Sequence, residues 1–114
     1  MKHRKLHELT EHEVAIALHV SYVVARAVLA VASLCHRLAK SECIEEIAYS
    51  VFEAIQVGLD AKPAVEYVDN GVGIDWFAYI LVKDYAIFFD YNFNPDYIGI
   101  ANVDDFRSHY KITD

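Results

Sequence analysis

The sequence predicts an α+β domain, in which an N-terminal antiparallel helix pair packs on a roughly four-stranded antiparallel meander sheet and a short C-terminal helix follows. Three observations predict it. Val14 to Leu38 is a helix-length run that is apolar almost all the way round. Ile44, Ile47, Ala48, Val51, Phe52 and Ile55 recur at helical spacing. From Pro63 onward the pattern changes to short alternating runs separated by turn signals.

Each element has its own warrant. Residues 1–9 read as a flexible basic arm and residues 10–114 as one domain. Thr10 with Glu13 is a capping-box pattern, with Leu6 or Leu9 placed to pack back on the first turn. The first helix is expected to run from there to about Ala39 without a break. Its polar positions His12, His19, Arg26, Ser33 and Lys40 fall seven apart, with Ser21 the exception on the far side. A surface helix needs only about a 100° apolar arc. This helix is therefore expected to be covered on several sides, as the centre of the fold or as half of a homodimer seam.

Ser41 is placed to cap the second helix, whose outer face carries Glu42, Glu45, Glu46, Glu53 and Gln56. Gly58 is its expected left-handed terminator, followed by the apolar Leu59. Ala64–Val68, Ile74–Lys83, Tyr85–Tyr91 and Tyr97–Val103 are the strands. Asp69-Asn70-Gly71, Lys83-Asp84 and Asn94-Pro95-Asp96 are the turns between them. In the longest run Ile74, Trp76, Ala78, Ile80 and Val82 share one face, and Asp75, Phe77, Tyr79, Leu81 and Lys83 the other. Asp104 is the expected cap of the terminal helix.

Composition narrows the function. The chain has 114 residues and a net charge of −7. Residues 1–40 carry a net +3 and residues 41–114 a net −10. Such a surface repels phosphate backbones, so direct nucleic-acid binding is not expected. A membrane span over Val14–Leu34 would place Arg26 near the bilayer centre, at a cost of ~2.5 kcal/mol or more, so none is expected. The two cysteines, Cys35 and Cys43, form no C-x-x-C pattern and are too few for a disulfide framework, which points to a reducing, cytoplasmic compartment.

Motifs for chemistry are incomplete. His7 and His12 flank a Glu as in a zinc helix but sit five apart, about 140° round a helix, so they cannot face one ion. Asp90, Asn92, Asn94 and Asp96 match the first oxygen positions of a calcium loop. Pro95 then replaces the sharp-turn glycine, and Ala101 stands where the bidentate glutamate belongs. Gly71-Val72-Gly73 leads into a strand rather than a helix, so it reads as a hairpin and not a phosphate loop. Cys35-His36 diverge by 100° on a helix and cannot pair as nucleophile and base. No catalytic residue, metal or cofactor is expected.

The remaining signal is acidic and aromatic. Residues 60–114 hold ten acids, six tyrosines, five phenylalanines and the single tryptophan. Three Asp-Tyr steps recur: Asp84-Tyr85, Asp90-Tyr91 and Asp96-Tyr97. Aspartates would supply field and ion pairs, and tyrosines buried contact area, against a basic protein surface. The leading expectation is thus a small acidic, non-catalytic protein-binding module. In composition, though in no motif, it resembles small inhibitors encoded by phages and mobile elements, which implies inhibition of a basic or nucleic-acid-binding protein. The alternatives are a small-molecule pocket between helices and sheet, lined by Trp76, Tyr79 and Phe88, and a structural homodimer.

Overall fold

Thr10 closes the capping box its sequence announces. In the computed structural model its Oγ1 accepts from the Glu13 N–H at 3.1 Å, and the Glu13 carboxylate accepts from the Thr10 N–H at 3.0 Å. The model describes residues 1–38, 44–61, 64–69, 74–90 and 96–110, with backbone alone for 44–45, 48–49, 64–69 and 74–77. Helix α1 (Glu11–Leu18) starts at this cap.

The expected unbroken helix is in fact two. His19 takes the left-handed conformation (φ 56°, ψ 47°), and the Val20 N–H reaches back to the Ala15 carbonyl at 3.1 Å. Ser21 then caps helix α2 (Tyr22–Arg37), its Oγ accepting from the Val24 N–H at 3.3 Å. The axes bend by 111° at this elbow. Ser21, the odd polar residue in the apolar run, is there to satisfy an orphan helix donor. Glu11–Arg26 (3.0 Å) and His12–Tyr22 (2.6 Å) tie the two arms together. Among the described residues no single helix is long and apolar enough to cross a membrane.

Helix α2 buries Ala25, Val28, Ala32 and Cys35, and packs beside α3 (Ile44–Gly58), which buries Val51, Phe52 and Ile55. The terminator of α3 differs from expectation. Asp60, not Gly58, holds the left-handed position (φ 51°). The Ala61 N–H bonds the Gln56 carbonyl and the Asp60 N–H the Val57 carbonyl, both at 3.1 Å, which is a Schellman motif two residues later. The Ser41 cap and Cys43 lie outside the described residues.

The sheet is a fully antiparallel β1-β5-β4-β3-β2 array of β1 (His3–Lys5), β2 (Ala64–Asp69), β3 (Ile74–Val82), β4 (Tyr85–Asp90) and β5 (Gly99–Asn102). Strands β2 to β5 form the expected meander. Strand β1 comes from the segment expected as a flexible arm. Arg4 pairs with Ile100, the Leu6 N–H bonds the Ile98 carbonyl at 2.8 Å, and Leu6 is fully buried. Apolar anchors at Leu6 and Leu9 seat this short segment against the core.

Helices pack on both faces of the sheet. Ala78, Ile80, Ile87, Phe89, Ile98 and Ile100 meet the helices α1 to α3. Tyr79, Ala86, Phe88 and Ala101 meet Phe106 of the terminal helix α4 (Val103–Tyr110) on the other side. The cap of α4 is Asn102 rather than Asp104: its Oδ1 accepts from the Asp104 N–H at 2.9 Å. That leaves Asp104 and Asp105 in the first turn, where the helix dipole favours them.

Candidate interaction surface

Strand geometry scatters the five described residues among the six expected to bind a partner, Asp84, Tyr85, Asp90, Asp96 and Tyr97. Asp84 and Asp90 stand at opposite ends of β4, about 20 Å apart at ~3.3 Å per residue. Asp84 is exposed in the β3–β4 turn, and Tyr85 is half-buried. Asp90 is buried, at 3% exposure, and accepts the Tyr110 hydroxyl proton at 2.7 Å. Tyr91 lies outside the described residues. Asp96 is exposed, whereas Tyr97 is 8% exposed. Among the described residues, Asp84, Tyr85, Asp90, Asp96 and Tyr97 therefore do not share one exposed surface. An even spacing keeps Asp90 on the face that α4 covers.

That face holds a buried polar cluster instead. Tyr97 shares a 2.7 Å hydrogen bond with the His3 imidazole and stacks on it, with Lys5 Nζ 5.1 Å from the tyrosine ring centre. Burial, and then the charges of Asp96 and Asp90, push the Tyr97 hydroxyl above its ordinary value. Burial and the bond to Asp90 push the Tyr110 hydroxyl up further. Both phenols stay protonated, Tyr110 donating to Asp90 and Tyr97 sharing its hydrogen bond with His3. Asp90, the first residue of the calcium-loop pattern, is thus turned inward; residues 91–95 of that pattern lie outside the described residues. Among the described residues no group of three or more His, Cys, Asp or Glu converges.

The aromatic pocket residues are also accounted for. Tyr79 and Phe88 lie under α4, with ring centres 5.1 and 5.4 Å from Phe106, on the opposite face from α1 to α3. The Trp76 side chain lies outside the described set. An open cleft of about 520 Å³ lies between α1 and the β1–β5 edge. Leu9, Ala17 and Ile100 contribute its apolar floor, and Lys2, His12 and Asp105 its polar rim. Arg4 at the rim is taken up by Glu13 at 2.7 Å. The bond from the Thr10 backbone, then Arg4, holds the Glu13 carboxyl down at about 2.

Two further features were not legible as sites. His7 and His36 stack at 4.1 Å with rings 15° from parallel, and His36 Nδ1 sits 3.0 Å from the Asp96 carbonyl oxygen. The second is the outward side of α2. Val23, Ala27, Ala30, Leu34 and Leu38 are exposed at spacings of four, three, four and four residues. Val23 is 72% exposed and Leu34 40%. Tyr22 at the start of α2 and Ile16 on α1 are exposed as well, at 52% and 61%. The sequence signalled the row through its excess apolar arc; the fold covers only one side of that arc. On the buried side, desolvation lifts the Cys35 thiol to about 11, so it is an unreactive core group at neutral pH. No family model matches this chain, and no curated protein or solved structure is significantly similar to it.

Proposed function

We propose that the protein is a non-catalytic protein-binding module that presents the outward face of α2 to its partner. The observation that carries this reading is the uncovered row Val23, Ala27, Ala30, Leu34 and Leu38. Single exposed apolar residues are ordinary, but a continuous row on one helix face marks an interaction surface. Val23→Glu and Leu34→Glu test it. Both side chains are exposed in the structure, so the fold should persist. A partner retained by immobilised wild-type protein should be lost by both variants. Equal retention by the variants excludes the α2 face.

A second reading rests on a separate observation. The Val103 N–H bonds the Asp84 carbonyl at 2.9 Å, which draws the exposed Asp84 beside exposed Asp104 and Asp105. This acidic end suits a basic protein surface, as an inhibitor of a nucleic-acid-binding protein would need. Asp84→Asn with Asp104→Asn should then slow association and flatten its salt dependence without changing the fold.

A further inference from the structure

We propose that residues 1–8 form an acid-released strap: a proton taken up at His7 detaches β1 and the 3-10 turn Leu6–Glu8 from β5 while the rest of the fold stays closed. The strap holds mainly to one stretch of chain. Its three β1 residues pair with Gly99, Ile100 and Ala101, and the Leu6 N–H bonds the Ile98 carbonyl at 2.8 Å. The His3 imidazole and Lys5 Nζ both meet Tyr97. Leu6 is fully buried, so lifting the strap costs apolar contact and it stays down at neutral pH. The chain beyond it is secured separately, because Thr10 and Glu13 cap α1 with their own backbone and side-chain groups.

His7 is the anchor that a proton opposes. Its ring stacks on His36 of α2 at 4.1 Å, and its Nδ1 is buried with no hydrogen-bond partner among the described residues. A neutral ring tolerates this, since its hydrogen can sit on Nε2 and leave a bare lone pair on Nδ1. A protonated ring carries a hydrogen on both nitrogens, and the Nδ1 donor then has no acceptor while the strap is down. His36 supplies none, because a stacked ring turns its face and not a nitrogen lone pair to its neighbour. The charges around His7 are mixed. His36 and Lys5 oppose its proton, and Glu8 and Asp96 favour it. Burial and His36 outweigh the two acids, so the seated ring holds a proton less well than a solvated one. Lifting the strap restores the solvated ring, and acid therefore favours the lifted state. His3, the strap's other histidine, behaves differently. It meets Tyr97 through Nε2, which can donate to the hydroxyl oxygen when the ring is protonated, so acid leaves that contact intact.

Amide hydrogen exchange of the full chain, corrected for the intrinsic effect of pH on exchange, reads this opening directly. The Leu6 N–H reports the strap, and the Ile87 and Phe88 N–H groups of the central strand β4 report the rest of the sheet. Between about one unit above and about one unit below pH 6.5, Leu6 protection should fall roughly three- to tenfold, the effect of one proton linked to opening. Ile87 and Phe88 should keep theirs. In His7→Phe, which keeps a flat ring against His36 but takes up no proton, the fall in Leu6 protection should vanish. Unchanged Leu6 protection in the wild type overturns the proposal. So does a fall shared in step by Ile87 and Phe88, which would mean that the whole fold loosens, and so does a fall that persists in His7→Phe. Should the phenylalanine fail to seat the strap, the wild type decides alone. Leu6 protection should then decline from pH 6.5 down to the pH at which the His7 ring resonances titrate and level off below it. A decline that bears no relation to the His7 titration overturns the strap as well.

Discussion

Asp90 is a carboxylate at 3% exposure, and a carboxylate so placed must be hydrogen-bonded to stay in the interior. Tyr110 is one of its donors, at 2.7 Å across the sheet-to-helix gap. Tyr110→Phe keeps the ring against Phe106 and removes only that hydroxyl. The expected loss is ~1.5–3 kcal/mol, the range for hydrogen bonds to charged groups, read from urea unfolding. An unchanged midpoint would mean the bond contributes nothing. Gly99 faces a different constraint. A Cβ there would sit 2.8 Å from Phe88 Cε1, in a ring that is fully buried. Gly99→Ala should therefore cost about 1–3 kcal/mol, the usual penalty for overpacking, whereas Gly58→Ala meets open space and should not. Neither role was legible in the sequence. Asp90 carried the marks of a turn aspartate, and its partner lies twenty residues away on another element.

At the scale of elements, His19 holds the α1–α2 elbow in a left-handed conformation that costs a side-chain-bearing residue energy. His19→Gly should remove that cost, offset in part by the greater entropy of glycine in the unfolded chain. The net gain expected is roughly 0.5 kcal/mol in thermal or urea unfolding. A loss would show that the His19 ring contributes contacts that outweigh the strain. The strands, the two-residue turn at Lys83-Asp84 and the Thr10 capping box were readable because each is specified within a few residues. The elbow was not read, since hydrophobic periodicity runs straight through it and only Ser21 interrupts the pattern. Strand β1 was missed for a related reason: Arg4 and Lys5 look solvated, and the pairing that orders them comes from β5, nearly a hundred residues on. The candidate site was legible only in outline, as an apolar arc wider than one neighbour covers. Which part of that arc stays open depends on where α3 and the sheet settle, and that is a property of packing.

For the whole molecule, the decisive junction is where the N-terminal segment, the end of α2 and the approach to β5 meet at the His7–His36 stack. Two neutral imidazoles stack at 4.1 Å without penalty, but two cations at that distance repel. Burial, then the proximity of His36, lowers the affinity of His7 for a proton below its ordinary 6.5, and Lys5 adds to this while Glu8 and Asp96 oppose it. A group whose folded-state value is depressed contributes stability that is complete above its unfolded value and is lost as pH falls through the folded one. Stability should therefore hold above pH 6.5 and decline below it, because folding then has to displace a proton from His7. The Glu13 carboxylate, held at about 2 from an ordinary 4.5, follows the same sign further down: its contribution is present above 4.5 and disappears towards 2. His7→Phe keeps a flat ring against His36 and removes the first titration but not the second. Urea unfolding on either side of pH 6.5 should show a slope in the wild type that flattens in His7→Phe. Equal slopes in the two proteins would take His7 out of the balance. They would leave the seating of the N-terminal segment to its other contacts, among them the buried Leu6 and Leu9 and the β1–β5 pairing, none of which senses a proton near pH 6.5.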